Sequence, residues 1–389
     1  MMKIRISAIL LIWLLIDIYF FTAIQTVTSN PFVYFIYWLV DLLLAGTIVY
    51  SSLKGKTKIL SGLVASVLLF FVPKLIGSLI LLLEDLTRLF RGFPARSYAL
   101  SELVLMIAAV FFFVFLFGLT RGRHHYKVRR ETLHFEDLPP AFDGFTITHL
   151  SDIHAGSFTD RRGVQKGIDL VNAQKSDVIL FTGDLVNNQA SEMDPWISAF
   201  AELKGSYGKY SILGNHDYGD YMQWDSKEAK LANRLRLNQV HQEIGFQLLL
   251  NESTTIRKDG ESIALIGVEN WGKGGFHKYG NLKKATTNLS ATDFKVLMSH
   301  DPSHWDAVVL DHNPPIHLTL AGHTHGMQFG FELFGFKWSP SRYIYKQWAG
   351  LYHNKGRYLY VNRGFGYIGL KGRIGIWPEI AVITLKRKR

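Results

Sequence analysis

The chain has 389 residues, a formal net charge of +11 and no cysteine. That length exceeds one ordinary domain, so two units are expected, and the missing thiols exclude disulfides, thiolate catalysis and cysteine-type zinc sites. The basic balance points to an anionic partner, and a membrane surface and a phosphorylated substrate suit this chain better than nucleic acid.

The first third is strongly apolar. Four windows, at about residues 6–24, 32–53, 59–83 and 98–119, each approach the ~20 residues that a helix needs to span a bilayer. The first is long for a signal-peptide core and lacks a small-x-small cleavage site. The expectation is therefore a transmembrane domain of four helices over residues 1–120.

Charges between the windows set an orientation. Lys3 and Arg5, then Lys54, Lys56 and Lys58, then Arg121, Arg123, Lys127, Arg129 and Arg130 put ten basic residues on one side. The opposite side has three, Arg88, Arg91 and Arg96, partly offset by Glu84 and Asp85. The positive-inside rule then predicts both termini and the C-terminal domain in the cytoplasm. Asp17, Asp41 and Lys74 lie well inside the windows. Charges there are costly and face a partner or a wet cavity. An ion pair that fixes helix packing is the reading taken here, with an ion path or headgroup site as the alternative. Pro73 is expected to open the helix locally and free a carbonyl.

Residues 121–131, with His124 and His125, read as a basic juxtamembrane linker touching anionic headgroups. Beyond it, residues 132–389 alternate strand-like and helix-like stretches. Asp160 to Asn172 places Val164, Ile168 and Val171 on one helical face, with Thr159 or Asp160 as cap. Further helices are expected over 195–203, 225–244 and 304–310. Asp259-Gly260 reads as a hairpin turn, and 358–361 and 380–385 as late strands. The pattern is α/β with a mixed sheet system.

Five apolar, strand-like runs each end in metal-type ligands. Phe145–Leu150 runs into Ser151-Asp152-Ile153-His154, Val178–Phe181 into Thr182-Gly183-Asp184, and Tyr210–Leu213 into Gly214-Asn215-His216-Asp217. Phe294–Met298 runs into Ser299-His300-Asp301, and Ile316–Leu320 into Ala321-Gly322-His323-Thr324-His325-Gly326. Loops leaving strand C-termini converge on one rim of an open α/β sheet, so these residues are expected to meet. His149, His304 and His317 read as packing or supporting residues, and Arg363 as either a phosphate contact or half of a salt bridge.

The ordered set Asp-x-His, Gly-Asp, Gly-Asn-His-Asp, Ser-His-Asp and Gly-His-Thr-His resembles the calcineurin-like metallophosphoesterases, most closely their membrane-associated bacterial branch. Val361-Asn362-Arg363-Gly364-Phe365-Gly366 and Pro378-Glu379-Ile380 add to the likeness, which covers about 142–385. The resemblance implies a four-layer αββα sandwich with two divalent metals, Mn, Fe or Zn, at the sheet rim. It implies that Asp152, His154 and His325 bind the first metal, that Asn215, His300 and His323 bind the second, and that Asp184 bridges them. His216 is then the group that protonates or steadies the leaving oxygen, and Asp217 the residue that orients its imidazole.

After the last motif, residues 331–352 interleave Phe334, Phe336, Trp338, Tyr343, Tyr345, Trp348 and Tyr352 with Lys337, Arg342 and Lys346. They read either as a lid over an acyl chain or base, or as aromatics packed on the domain. The expected activity is a membrane-anchored, binuclear metal-dependent phosphohydrolase. Its expected substrate is a lipid-linked phosphodiester or pyrophosphate, with metal-activated hydroxide as nucleophile. A general nucleotide or cyclic-nucleotide phosphodiesterase on a simple anchor, and a non-catalytic membrane sensor, are the rival readings.

Overall fold

A computed structural model describes residues 2–54, 62 and 64–388 and divides the chain into two units, Met1–Thr120 and Arg121–Arg389. Lys56, Lys58 and the start of the third expected window lie outside the described residues. The first unit contains α1 (Met2–Val27), α2 (Pro31–Lys54), α3 (Val72–Leu89) and α4 (Tyr98–Thr120). Among the described residues, Leu10–Val27, Val64–Leu89 and Tyr98–Thr120 are long and apolar enough to cross a membrane, and Pro31–Thr47 of the second helix is a further apolar stretch. Phe20, Ala23, Ile24, Leu81, Val104 and Ala108 pack together inside. Phe35, Leu42, Leu83 and Phe113 are mostly exposed on the outside, as an apolar surround requires.

The ionisable residues of the windows meet. Lys74 Nζ lies 3.0 Å from Asp17 Oδ1 and 2.5 Å from Asp41 Oδ1, and 4.4 Å above the ring of Tyr37. The other Asp41 oxygen is buried without a partner. Directly before α3 the chain makes a π-helical turn over Val67–Phe71, in which the Val72 N–H reaches the Val67 carbonyl. Pro73 has no N–H to continue the ladder, so the helix is rewound at the position that presents Lys74.

The second unit begins earlier than expected. Residues 121–131 are not a linker: Gly122–His124 is a 3₁₀ turn, Tyr126 packs against Phe365 with ring centroids 4.7 Å apart, and β1 (Lys127–Phe135) starts at once. The partner of β1 is the last strand, Glu379–Arg387, a pairing across the whole domain that no local pattern reveals.

The remaining strands are β2 (Thr146–Leu150), β3 (Val178–Phe181), β4 (Lys209–Ser211), β5 (Gln247–Leu248), β6 (Glu252–Lys258), β7 (Glu261–Gly267), β8 (Lys295–Met298), β9 (Leu318–Ala321), β10 (Phe331–Leu333), β11 (Phe336–Trp338), β12 (Gly350–Asn354), β13 (Arg357–Val361) and β14 (Glu379–Arg387). They form two six-stranded sheets, β1-β14-β2-β3-β4-β5 and β12-β13-β9-β8-β7-β6, and the small hairpin β10-β11. Both large sheets are mixed: β14 runs antiparallel to β2 while β2 to β5 are parallel, and β6 and β12 are antiparallel edges.

Side-chain alternation along the strands builds four layers. Val178 and Leu180 of β3 meet Val296 and Met298 of β8 and Leu318 and Leu320 of β9 in a core between the sheets. Ile179 and Phe181 face outward onto helix α5 (Arg161–Asn172), through Val164, Ile168 and Val171, and onto Leu237 and Val240 of helix α6 (Lys227–Glu243). On the far side, Leu297 and Val361 pack with Leu282, Trp305 and Val309 of short helical turns. Helix caps fall where polar side chains reach the first free N–H groups: Asp160 accepts from Arg162 and Ser226 from Ala229.

Lys74→Leu would leave two buried carboxylates facing each other, and breaking a buried pair costs about 3–5 kcal/mol. A clear fall in the thermal midpoint of the purified membrane protein is expected. Replacing Asp17, Asp41 and Lys74 together by leucine should recover most of it, and turnover of that triple variant reports whether the charges serve more than packing.

Candidate metal centre

The five motif loops leave the C-terminal ends of β2, β3, β4, β8 and β9. Backbone bonds lace them together: Ile153 and His154 N–H donate to the Asp184 carbonyl at 2.9 and 3.1 Å, and Gly322 N–H to the His300 carbonyl at 2.9 Å. Glycines permit the approach. A methyl on Gly214 would overlap Asp184 Oδ1, and one on Gly322 would overlap Ser151 Oγ and Asp152 Oδ2.

Two clusters result. Asp152, His154 and His325 form one, and Asp184, His300 and His323 the other, with ligand atoms in each within 4.8 Å of one another. His154 Nε2 and His325 Nε2 are 3.0 Å apart, and His325 Nε2 is 3.2 Å from Asp152 Oδ1. Two imidazole nitrogens so placed share at most one proton. Bonds of roughly 2.0–2.2 Å from a common ion put neighbouring ligand atoms roughly 3.0–3.5 Å apart, so the donor set fits a divalent cation. Asp184 Oδ2 lies 3.2 Å from His300 Nε2 and 3.5 Å from His154 Nε2 and so faces both clusters.

Asn215 joins the second cluster. Its Oδ1 is 3.2 Å from His300 Nε2 and 2.9 Å from His323 Nδ1, while its Nδ2 donates to Tyr221 Oη at 2.9 Å. That donation decides which end of the amide faces the rings. His300 Nδ1–H donates to the Thr182 carbonyl at 2.7 Å, which turns Nε2 toward the cluster. Burial opposes charge on His300, but Asp184 beside it outweighs burial and holds the ring up to about 10. A bound divalent ion would take the place of that proton. His323 Nε2 lies 2.8 Å from Tyr345 Oη. The buried Arg373 guanidinium donates to His325 Nδ1 at 3.1 Å and to the Arg363 carbonyl at 2.6 Å.

His216 stands at the edge of both clusters, its ring 5.0 Å from that of His154 and 4.6 Å from that of Tyr221. Its Nδ1–H donates to the Asn187 carbonyl at 2.8 Å. Nε2 has no hydrogen-bond partner among the described residues. His216, His154, Asp184, Asn215, His323, His325 and Tyr345 line a cavity of about 220 Å³.

The expectation for Asp217 is corrected. Its carboxylate does not touch the His216 ring. It accepts backbone N–H groups from Asp184 and Leu185 at 2.8 Å, Gly214 at 2.9 Å and Val186 at 3.2 Å. Four amide donors leave no lone pair aimed at an imidazole, and the loop after β3 is what it holds. Arg363 is likewise a structural partner, buried and paired with Glu332 and Glu379. His149, His304 and His317 are buried on Thr182, Ser299 and Asp137 respectively.

Sequence reasoning did not reach Tyr221, Asn187, Phe276 or Arg373. Tyr221 had one usable signal, its place six residues after Asn215. Phe276, edge-on to His323 at 5.0 Å, and Arg373 come from segments without a motif.

A family profile described as calcineurin-like phosphoesterase matches residues 145–327, and one described as a probable calcineurin-like phosphoesterase transmembrane domain matches residues 2–123. The uncharacterized metallophosphoesterase YkuE of Bacillus subtilis is 30% identical over 68% of this chain and 86% of its own length. A transmembrane protein with metallophosphoesterase domain from Danio rerio is 28% identical over 75% of this chain and 64% of its own. B. subtilis YkoQ, another uncharacterized metallophosphoesterase, is 25% identical over 72% of this chain and 97% of its own. With its paired clusters and its transmembrane helices, this chain belongs to the calcineurin-like metallophosphoesterases.

Proposed function

We propose that this membrane-anchored phosphoesterase hydrolyses a phosphodiester or pyrophosphate bond of a lipid-linked substrate at the cytoplasmic face of a bacterial inner membrane. The observation that carries the reading is the pair of clusters meeting at Asp184 Oδ2 beneath the cavity. Asp152, His154 and His325 would hold one divalent ion, His300, His323 and Asn215 the other, and Asp184 both. When bound, two such ions would neutralise the anionic ester and would supply a hydroxide nucleophile near neutral pH.

The chain's own residues do the rest. Asp217 anchors the Asp184 loop by its amides, so the bridging carboxylate stays in place through turnover. His216, fixed through Nδ1 by the Asn187 carbonyl, has Nε2 to give a proton to the leaving oxygen. Tyr345 and Phe276 line the cavity beside His323 and exclude water from one side. The membrane domain and the aromatic lining support a lipid-linked substrate over a soluble one. For orientation, Arg96 pairs with Glu84 and Asp85 at 2.7 and 2.9 Å and Arg88 with Asp85, which offsets basic charge on the side with fewer such residues.

Chelation of the purified full-length protein is expected to abolish turnover, with Mn, Fe or Zn restoring it. Asp184→Asn should hold fewer than two ions per chain by metal analysis and lose turnover by orders of magnitude. His216→Ala should keep its metal content and fold, yet turn over esters with poor leaving groups about 10²- to 10⁴-fold more slowly. Good leaving groups should be spared, and wild-type rates on poor ones remove the assigned role. Turnover on phospholipids and nucleotide-linked lipids against water-soluble diesters tests the substrate class. A preference for the soluble esters refutes the lipid-linked reading.

A further inference from the structure

The β10–β11 hairpin is built inside out. Its register pairs Phe331 with Trp338, Glu332 with Lys337 and Leu333 with Phe336. Phe331, Leu333, Phe336 and Trp338 therefore share one face, and Glu332 and Lys337 the other. A two-stranded hairpin on a soluble domain normally turns its apolar face inward. Here the charged face is turned in. Glu332 receives Arg363 Nη2 at 2.6 Å and is also bonded by Arg129, and Lys337 donates to the Ala349 carbonyl.

The apolar face is turned out. Leu333 is 61% exposed, Phe336 58% and Phe331 42%, and Phe334 at the turn is completely exposed. Tyr343 and Ile344, shortly after the hairpin, are exposed as well, at 75% and 63%. An isolated hairpin is marginal in water, and such a contiguous apolar surface marks a contact with something that is not water.

Chain connectivity indicates the partner. The bond from Arg129 fastens the hairpin to the start of β1. β1 opens at Lys127, only seven residues after α4 ends at Thr120. Seven residues span at most about 25 Å, and that is the length of the tether between the last membrane helix and the strand to which the hairpin is fastened. Exposed Arg121, Lys127 and Arg342 supply cations of the kind that meet anionic headgroups.

We propose that this hairpin is a membrane-inserting wedge. Phe331, Leu333, Phe334 and Phe336 enter the boundary between headgroups and acyl chains of the same bilayer that holds α1–α4, while Arg121, Lys127 and Arg342 contact headgroup phosphates. The segment runs on to Tyr345, whose hydroxyl touches His323, so the wedge joins the lipid surface to the rim of the metal centre. The inference rests on the membrane domain and not on the substrate reading, and each can fail alone.

The chain has no native cysteine, so a single introduced one takes a spin label uniquely. Full-length Phe334→Cys, Leu333→Cys and Gln242→Cys variants, the last on α6 beside β5 at the opposite sheet edge from β1, would be labelled in lipid nanodiscs of mixed anionic and zwitterionic phospholipid. Collisional relaxation by oxygen and by a water-soluble nickel chelate is the readout. Labels at 333 and 334 are expected to favour oxygen over nickel several-fold more than the label at 242. Equal nickel access at all three positions overturns the proposal. Protection of 333 and 334 from both reagents overturns it too, because it marks a protein partner in place of lipid.

Discussion

Five of the residues gathered at the sheet rim hold a backbone conformation that side chains resist. Asp152, His154, Asp184, His323 and His325 have φ of 54, 50, 60, 71 and 49°. Each such residue costs on the order of 1–3 kcal/mol and persists only where the surroundings dictate it. The dictating contacts are visible: Asp217 fastens four amides across two loops, Gly366 N–H and Phe365 N–H donate to the Asp152 and Ser151 carbonyls at 2.8 and 2.7 Å, and Asp152 accepts the His323 N–H at 3.0 Å. Loops bent this sharply drop carboxylates and imidazoles back over the strand ends instead of into solvent. Everything chemical about the molecule depends on that bend.

A second layer of contacts then decides what each donor atom can do. The Thr182 carbonyl, Tyr221, Tyr345 and Arg373 each touch a ring or amide on the side away from the cluster. They select the tautomer or the amide face and so aim a lone pair at the centre. The fully buried Arg373 spends its other donors on the carbonyls of Arg363, Gly364, Gly366 and His325. It is a peg for the last loop as much as a neighbour of His325.

Polar groups turned inward and apolar groups outward recur in both units. In the first unit, Lys74, Asp17 and Asp41 close on one another while leucines and phenylalanines face out. In the second unit, the same inversion appears at the β10–β11 hairpin, on a domain whose large apolar side chains are mainly buried in two sheet-flanking cores and one between the sheets. That hairpin is fastened by Arg129 to the strand that follows the last membrane helix.

Much of this was legible in the residue order. Apolar windows of bilayer length announced the helices, since nothing else in a chain needs ~20 apolar residues in a row. Strand-like runs ending in Asp-x-His, Gly-Asp, Gly-Asn-His-Asp, Ser-His-Asp and Gly-His-Thr-His pointed to a shared rim, since ligands sit where strand C-termini converge. What the order of residues could not carry was any partner chosen across the fold. The pairing of residues 127–135 with 379–387, the turn of Asp217 toward amides and away from His216, the capture of Arg363 by two glutamates and the outward face of the β10–β11 hairpin are all set by contacts between segments far apart in the chain. Local periodicity says which faces a segment has. Only the packed structure decides which of them meets protein, water or lipid.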